Sequence, residues 1–235
     1  MQSKIKGYII NQQEYKDNDY FLDILSEVGI VRVLGRGLKK ITSKNRAATQ
    51  LFTLGEYHYN YKSENSLKIL TTANIIKSNV SVHNDLLLIA QLSLISELII
   101  KNFATSNFYF EFTDLIRNKT WLDLCWIFKK MIVISGFKPE LNCCSNCGAS
   151  VVIGFSFDGG YICHNCWHSY DFKLTPKQMR LLHYLFKANF TNKDSLKEYA
   201  YDYFIFDLLL KYYLHHQPQN LKSYNFFNKI VDKAS

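Results

Sequence analysis

Four of the six cysteines in this 235-residue chain stand as two matched pairs, Cys144-x2-Cys147 and Cys163-x2-Cys166, separated by fifteen residues. Each pair offers two thiolates from one tight turn, and two such turns close a tetrahedron around a single ion. The spacing predicts one structural Zn2+ held by Cys144, Cys147, Cys163 and Cys166. Four protein ligands leave no open position for water or substrate, so the predicted role is structural and not catalytic. Gly148 follows the second cysteine, where such a knuckle often needs positive φ. Cys143 adjoins the first ligand, but only Cys144 keeps the two-residue spacing to Cys147; His164 and His168 are weaker alternatives. Cys125 lies in an apolar helical stretch and reads as a small buried hydrophobe.

A second set of residues suits electrostatics. Arg32, Arg36, Lys39, Lys40, Lys44 and Arg46 follow one another with no acid between them, and Gly35 and Gly37 flank Arg36. Cations leaving a strand, with glycines that let the backbone approach a ligand, suit contact with phosphates. Lys4 and Lys6 are weaker candidates for the same task. Taken alone, such a run is more often a solvated face, because charge speaks to partners and not to fold. Aromatics at period two, Tyr57, Tyr59 and Tyr61, are expected in a strand core more than on a stacking platform.

Motifs of nucleotide, hydrolase and deaminase chemistry are missing from the sequence. It has no Gly-x4-Gly-Lys loop, no Gly-x-Ser-x-Gly elbow, no His-Glu-x2-His and no Pro-Cys-x2-Cys. Its seven histidines show no recurrent partner spacing. No catalytic residue is predicted, and an enzyme is the weaker hypothesis.

The elements that must position these residues fall into two periods. Up to about residue 80 the pattern is β: Ile5 to Ile9 alternates, Tyr20 to Leu25 and Gly29 to Leu34 are apolar runs joined by Ser26-Glu27-Val28-Gly29, and Leu51 to Tyr61 and Leu67 to Ile75 follow. Five short strands in this space predict a small barrel, the OB-fold being one such architecture. From about Asn84 the period becomes helical, through Leu86 to Ile100, Phe108 to Arg117 and Thr120 to Ser135, with Gly136 as a stop. Val151 to Phe157 and Tyr161 to Ile162 flank Asp158-Gly159-Gly160, a hairpin signal between the cysteine pairs. Thr175-Pro176 opens another helix as N-cap and first turn. Two more are expected over Tyr201 to Leu214 and Ser223 to Val231. The predicted class is α+β: an N-terminal OB-fold β-barrel over 1–80, then an α-helical domain over 81–235 with a zinc ribbon inserted at about 141–170.

Composition agrees with a folded, basic protein. Lys plus Arg number 28 against 20 Asp plus Glu, a net charge of +8, and 48% of residues are hydrophobic. That apolar content excludes extensive disorder, and ten Gly with three Pro exclude collagen-like classes. Residues 1–80 carry twelve basic and seven acidic residues, 81–142 six of each, and 143–235 ten and seven. No run reaches the roughly 18 apolar residues of a membrane span. Leu86 to Ile100 is broken by Gln91, Ser93, Ser96 and Glu97 and reads as a buried helix, so no membrane partner is expected. The N-terminus has no apolar signal region, and the cysteines read as reduced thiols inside a cell.

Gly136-Phe137-x-Pro139-Glu140-Leu141 leads into Cys144-x2-Cys147-Gly148, and Gly159-Gly160-x2-Cys163-x2-Cys166 follows. With the barrel pattern and the helical domain, these residues resemble the bacterial RecO family of recombination mediators. Gly35-Arg36-Gly37-Leu38-Lys39-Lys40 with Ser43 and Arg46 looks like that family's basic stretch, and Leu221-Lys222-Ser223 like its C-terminal signature. Cys143 is an extra thiol, and Tyr15 to Asn18 lacks the usual Gly-Glu. The resemblance implies a cytoplasmic, nucleoid-associated, non-enzymatic protein. It would bind single- and double-stranded DNA and anneal complementary strands. With RecR it would load RecA onto strands coated by single-stranded-DNA-binding protein (SSB), whose acidic C-terminal tail it would contact. Arg32, Arg36, Lys39, Lys40, Lys44 and Arg46, with Lys4 and Lys6, are the expected DNA contacts. The alternative is an OB-plus-ribbon factor acting on RNA in transcription or translation.

Overall fold

The computed structural model describes residues 1–78 and 80–234. They form two compact units, one running from Met1 to Arg117 and taking in the segment from Leu221 onward, the other Asn118–Asn220.

The first unit is built on a closed five-stranded barrel of order β1-β2-β3-β5-β4. Its strands are β1 (Gln2–Tyr15), β2 (Asp19–Ser26), β3 (Gly29–Gly35), β4 (Leu54–Asn60) and β5 (Ile69–Lys77). β1 is long enough to pair antiparallel with both β2 and β4, and the parallel contact of β3 with β5 closes the ring. This is the OB-like barrel that the alternating strands predicted. Apolar residues at alternate positions (Leu22, Ile24, Val33, Tyr57, Tyr59, Leu70) fill its interior, and there Tyr57 is fully buried.

The strand predicted from Leu51 begins at Leu54. Phe52 adopts φ +63 in the turn before it, where its N–H bonds the Ile9 carbonyl at 2.7 Å. Three helices follow: α1 (Val80–His83), α2 (Leu86–Asn102) and α3 (Tyr109–Asn118). Asp85 caps α2 by accepting from the Leu88 N–H. Barrel and helices meet through aromatics: the Tyr8 ring lies 5.5 Å from Phe112, and Phe52 lies 6.3 Å from it.

The second unit begins with α4 (Trp121–Ile134), N-capped by Thr120 and stopped at Gly136, whose φ is +85. The ribbon strands β6 (Gly154–Ser156), β7 (Gly160–Ile162) and β8 (Phe172–Lys173) make a small antiparallel sheet of order β7-β6-β8. The pairing of Ser156 with Gly160 is the hairpin expected at Asp158-Gly159-Gly160. Then come α5 (Pro176–Lys187), with Thr175 and Gln178 closing a reciprocal capping box, and α6 (Tyr203–His216). α4 and α6 pack edge-to-face, Phe128 against Phe206 at 5.3 Å. The ribbon is fastened to this layer by Phe155 against Tyr212 at 5.3 Å and by the Tyr212 hydroxyl on the Phe137 carbonyl at 2.8 Å. β8, α1 and a 3-10 stretch at Phe190–Glu198 were not foreseen from periodicity, being too short or too polar to show one.

The last helix, α7 (Lys222–Ala234), returns to the first unit and is held at its start by α2. The Glu97 carboxylate accepts from the Lys222 N–H at 3.3 Å, the Ser223 N–H at 2.9 Å and the Ser223 hydroxyl at 2.5 Å. A carboxylate thus satisfies free amides at a helix N-terminus, where the dipole also favours it. Among the described residues no helix is long and apolar enough to cross a membrane.

Candidate metal centre and basic loop

Each cysteine pair sits on a knuckle built by its own backbone. The Gly148 N–H returns to the Cys144 carbonyl at 2.9 Å, and the Cys144 N–H to the Ala149 carbonyl at 2.8 Å. This turn requires positive φ at Gly148, which has +75. In the second knuckle the Cys166 N–H bonds the Cys163 carbonyl at 3.3 Å. The two are brought together by the Ser145 N–H on the Tyr161 carbonyl at 2.8 Å.

The lead-in segment is joined to the hairpin by Glu140. Its N–H bonds the Gly159 carbonyl and its carbonyl accepts from the Tyr161 N–H, both at 2.8 Å. A Cβ on Gly160 would lie 2.3 Å from the Glu140 oxygen, so this backbone approach needs glycine there. The Pro-Glu-Leu and Gly-Gly parts of the sequence pattern are thus two halves of one contact.

The sulfurs of Cys144, Cys147, Cys163 and Cys166 lie within 4.8 Å of one another, and Cys147 Sγ is 3.6 Å from Cys163 Sγ. Ligands at about 2.3 Å from a tetrahedral zinc would stand about 3.8 Å apart, so the donor set fits such an ion. Burial alone would raise the Cys144 thiol, but the N–H groups of Cys147, Cys163 and Asn146 aimed at its sulfur bring it down to about 6. Hydrogen bonding to Cys147, then burial and the other thiols, pushes Cys166 up to about 12. The Cys144 thiolate is favoured while the Cys147 and Cys166 thiols are pushed up, a conflict that a divalent cation removes. These four cysteines could hold a metal ion. Cys143 is not among the clustered sulfurs, and Cys125 is fully buried with its thiol pushed well up by burial.

The basic run occupies the end of β3 and the loop from Arg36 to Thr53. The loop is pinned at several points. The Gly37 N–H bonds the Asp19 carboxylate at 2.8 Å, and the Lys39 N–H the Asn18 carbonyl at 3.1 Å. Asn45 accepts from the Ala73 N–H at 3.0 Å and donates to the Thr71 carbonyl at 3.2 Å, serving β5 beside its bulge. Leu38, Ala48 and Phe52 are buried beneath it.

The six cations of the run do not share one environment. Arg36, Lys40, Lys44 and Arg46 are exposed and make no ion pair among the described residues. Lys39 pairs with Glu14 at 3.0 Å and lies over the Tyr20 ring. Arg32 stands apart: its Nε and Nη2 reach the two oxygens of buried Asp23 at 2.7 and 2.9 Å. Lys4 pairs with Glu56 at 3.4 Å, while Lys6 is exposed on the same strand. The acid that partners Arg32 is absent from the run but present on the facing strand. A signal for it existed: the Ser26–Gly29 turn sets a register in which Asp23 faces Arg32.

Comparison with known proteins finds matches over both ends of the chain. A family model described as "Recombination protein O N terminal" matches residues 1–79, and one described as "Recombination protein O C terminal" matches residues 114–225. A DNA repair protein RecO of Clostridium novyi is 27% identical over 96% of this chain and 94% of its own length. One of Bacillus pumilus is 27% identical over 97% and 94%, and one of Halalkalibacterium halodurans 28% over 76% and 75%. The chain belongs to the RecO family of DNA repair proteins.

Proposed function

We propose that this protein is a recombination mediator that holds DNA by its phosphates, anneals complementary strands and, with RecR, helps load RecA onto SSB-coated single strands. The observation that carries the reading is the pinned loop with four exposed cations, Arg36, Lys40, Lys44 and Arg46, that no carboxylate neutralises among the described residues. Annealing two polyanions needs a surface that neutralises charge without reading sequence, and Lys and Arg contacts to phosphate do that. Lys39, Lys4 and Lys6 are secondary contacts in this reading, and Arg32 orders the strand beside them. The 1–80 region supplies the nucleic-acid surface. The 81–235 region, with its ribbon at about 141–170, can supply an apolar pocket with a basic rim for the acidic SSB tail.

One Zn2+ at the four cysteines would be structural, since four sulfur donors leave it no open position. Cys144, Cys147, Cys163 and Cys166 would hold it, fixing the ribbon on which Glu140 and Gly160 meet. The protein would work in the cytoplasm, at the nucleoid.

The test is annealing of complementary strands coated with the cognate SSB, with and without the protein, over a salt series. Acceleration that fades with salt is expected. Binding to naked strands without any acceleration would reduce the protein to an OB-plus-ribbon nucleic-acid binder, with RNA as the next substrate to try.

A further inference from the structure

The basic loop carries one residue that phosphate contact does not use. Ile41 is 88% exposed, more than any other large apolar side chain among the described residues. The loop's other large apolar residues are folded beneath it: Leu38 and Phe52 are buried, and Leu51 packs on the barrel core. Ile41 alone forgoes that burial. Five cations stand within five residues of it, Arg36, Lys39, Lys40, Lys44 and Arg46, and the stretch from Arg36 to Thr53 contains no acid.

Ile41 is also held in place. Three turns in series carry this part of the loop. The Lys40 N–H bonds the Gly37 carbonyl at 3.1 Å, the Ser43 N–H the Lys40 carbonyl at 3.1 Å, and the Arg46 N–H the Ser43 carbonyl at 3.2 Å. Ile41 is the second residue of the middle turn. Both ends of the series are tied to the barrel, by the Lys39 N–H on the Asn18 carbonyl and by Asn45 on Ala73 and Thr71. An apolar side chain on hydrogen-bonded backbone loses little conformational freedom on contact.

The surrounding charge selects the occupant. An apolar side chain among cations fits a partner that sets apolar faces between negative charges. A nucleic-acid strand does so at every step, with base faces stacked between phosphates. Apolar residues, isoleucine among them, enter such steps as wedges in proteins that kink DNA.

We propose that Ile41 is a wedge that inserts between two adjacent bases of the strand whose phosphates the neighbouring cations hold, parting and kinking that step. The inference rests on the phosphate-contact reading of the loop and adds to it an effect on base stacking. Phosphate contacts position a strand but do not address its bases. A parted step interrupts the stacking by which a single strand folds on itself, so the wedge keeps the strand open to its complement.

The experiment follows the fluorescence of 2-aminopurine, which rises when its neighbours unstack. The probe is placed centrally in a single strand of about eight nucleotides, within the span of an OB-fold site. Saturating wild-type protein is expected to raise the signal. I41A should lose most of that rise and bind about fivefold more weakly, the lower end of what one stacked base contributes. Its salt slope should match the wild type, because the cations remain. I41L should keep both the rise and the affinity. The side chain is exposed, so I41A should leave the melting curve unmoved. R36Q/K40Q/K44Q/R46Q should lose binding itself. A wild type that binds with a salt dependence but without any rise overturns the wedge and leaves the phosphate reading standing. A wild type that binds no strand sinks both. An I41A protein that keeps the full rise also overturns the proposal, and if it fails to bind a peptide of alternating Asp and Leu that the wild type holds, the residue serves a protein partner instead.

Discussion

Arg32 clamps Asp23 from the directly opposite position on the next strand, Nε to Oδ1 at 2.7 Å and Nη2 to Oδ2 at 2.9 Å. Asn11, opposite Asp23 on the other side, adds a third bond at 2.9 Å. Three neighbouring strands are thus joined by one row of polar side chains, with a buried carboxylate at its centre. The hydrogen bonding to Asp23 outweighs burial and raises the already high Arg32 pKa, so the guanidinium keeps its charge. Arg32→Gln should therefore act on stability before it acts on DNA. Leaving a buried carboxylate short of partners costs about 1–3 kcal/mol, and half-exposure of Arg32 places this case at the lower end. Denaturant unfolding would show it as a lowered midpoint. A variant with unchanged midpoint and weakened DNA binding would instead return Arg32 to the phosphate contacts.

The loop cations should behave in the opposite way. Arg36, Lys40, Lys44 and Arg46 are exposed and tie down no buried acid, so replacing them by Gln should leave the melting curve nearly unmoved. Binding to single strands should weaken, and its salt dependence flatten by about 0.7 log units for each phosphate no longer held. A titration series at several salt concentrations measures both quantities. Equal slopes for variant and parent would remove this loop from the interface.

Two glycines of the ribbon separate steric from conformational need. Gly148 has φ +75 with nothing within 4 Å of where a Cβ would stand. Gly160 has φ +127 and would drive a Cβ to 2.3 Å from the Glu140 oxygen. Gly148→Ala should cost about 1 kcal/mol, the penalty of the left-handed backbone, and Gly148→Asn less. Gly160→Ala should cost several times more, because the backbone contact to Glu140 must open. Thermal melts of the two alanine variants rank them, and equal losses would contradict the role given to that contact.

These cases show which parts of the structure are legible in a sequence. The cysteine spacing, the Thr175-Pro176 helix start, the stop at Gly136 and the strand alternation are local, and each foretold its element. The Arg32–Asp23 pair depends on a register and emerges only when the hairpin is laid out from its turn. Asn45 bonding to β5, Glu97 holding the start of α7 and Glu140 meeting Gly160 join residues far apart in the chain, and no local period reports them. The basic run looked uniform as a string of letters. Its division into paired and unpaired cations is a property of the facing strand.

Glu97 provides a prediction in pH. Burial by itself would raise its pKa, but the bonds from Lys101, Ser223 and Lys222 outweigh it and lower the carboxyl to about 2 from 4.5. A depressed acid stabilises the fold above its unfolded pKa, and the contribution fades as pH falls toward the folded value. The contribution of Glu97 should be complete above pH 5 and should drain away between about pH 4.5 and 2. At neutral pH Glu97→Gln should destabilise the first unit by on the order of 2 kcal/mol. Urea unfolding of both proteins across this range should show their difference shrinking as pH drops. A difference that stays constant would mean that packing, and not the charge, holds α7.

The metal supplies the last prediction. The ribbon has three strands of three, three and two residues, and its own apolar cluster holds little beyond Cys144, Ile162 and Cys163 with Val152 and Trp167 around them. So small a core cannot offset the conformational entropy of the segment, and a closed four-sulfur site normally supplies the balance. Chelation should therefore release one zinc per chain and unfold the ribbon. The amides of Cys144, Gly148 and Tyr161 should lose protection from hydrogen exchange, while the barrel strands keep theirs. Cys144→Ser should reproduce the effect without chelator, and Cys143→Ser should leave both zinc content and protection unchanged, because its sulfur lies outside the cluster. If the chelated protein kept its ribbon protection, the four cysteines would be packing residues, and the stability of this segment would have to come from the contacts of Phe155 and Tyr212 instead.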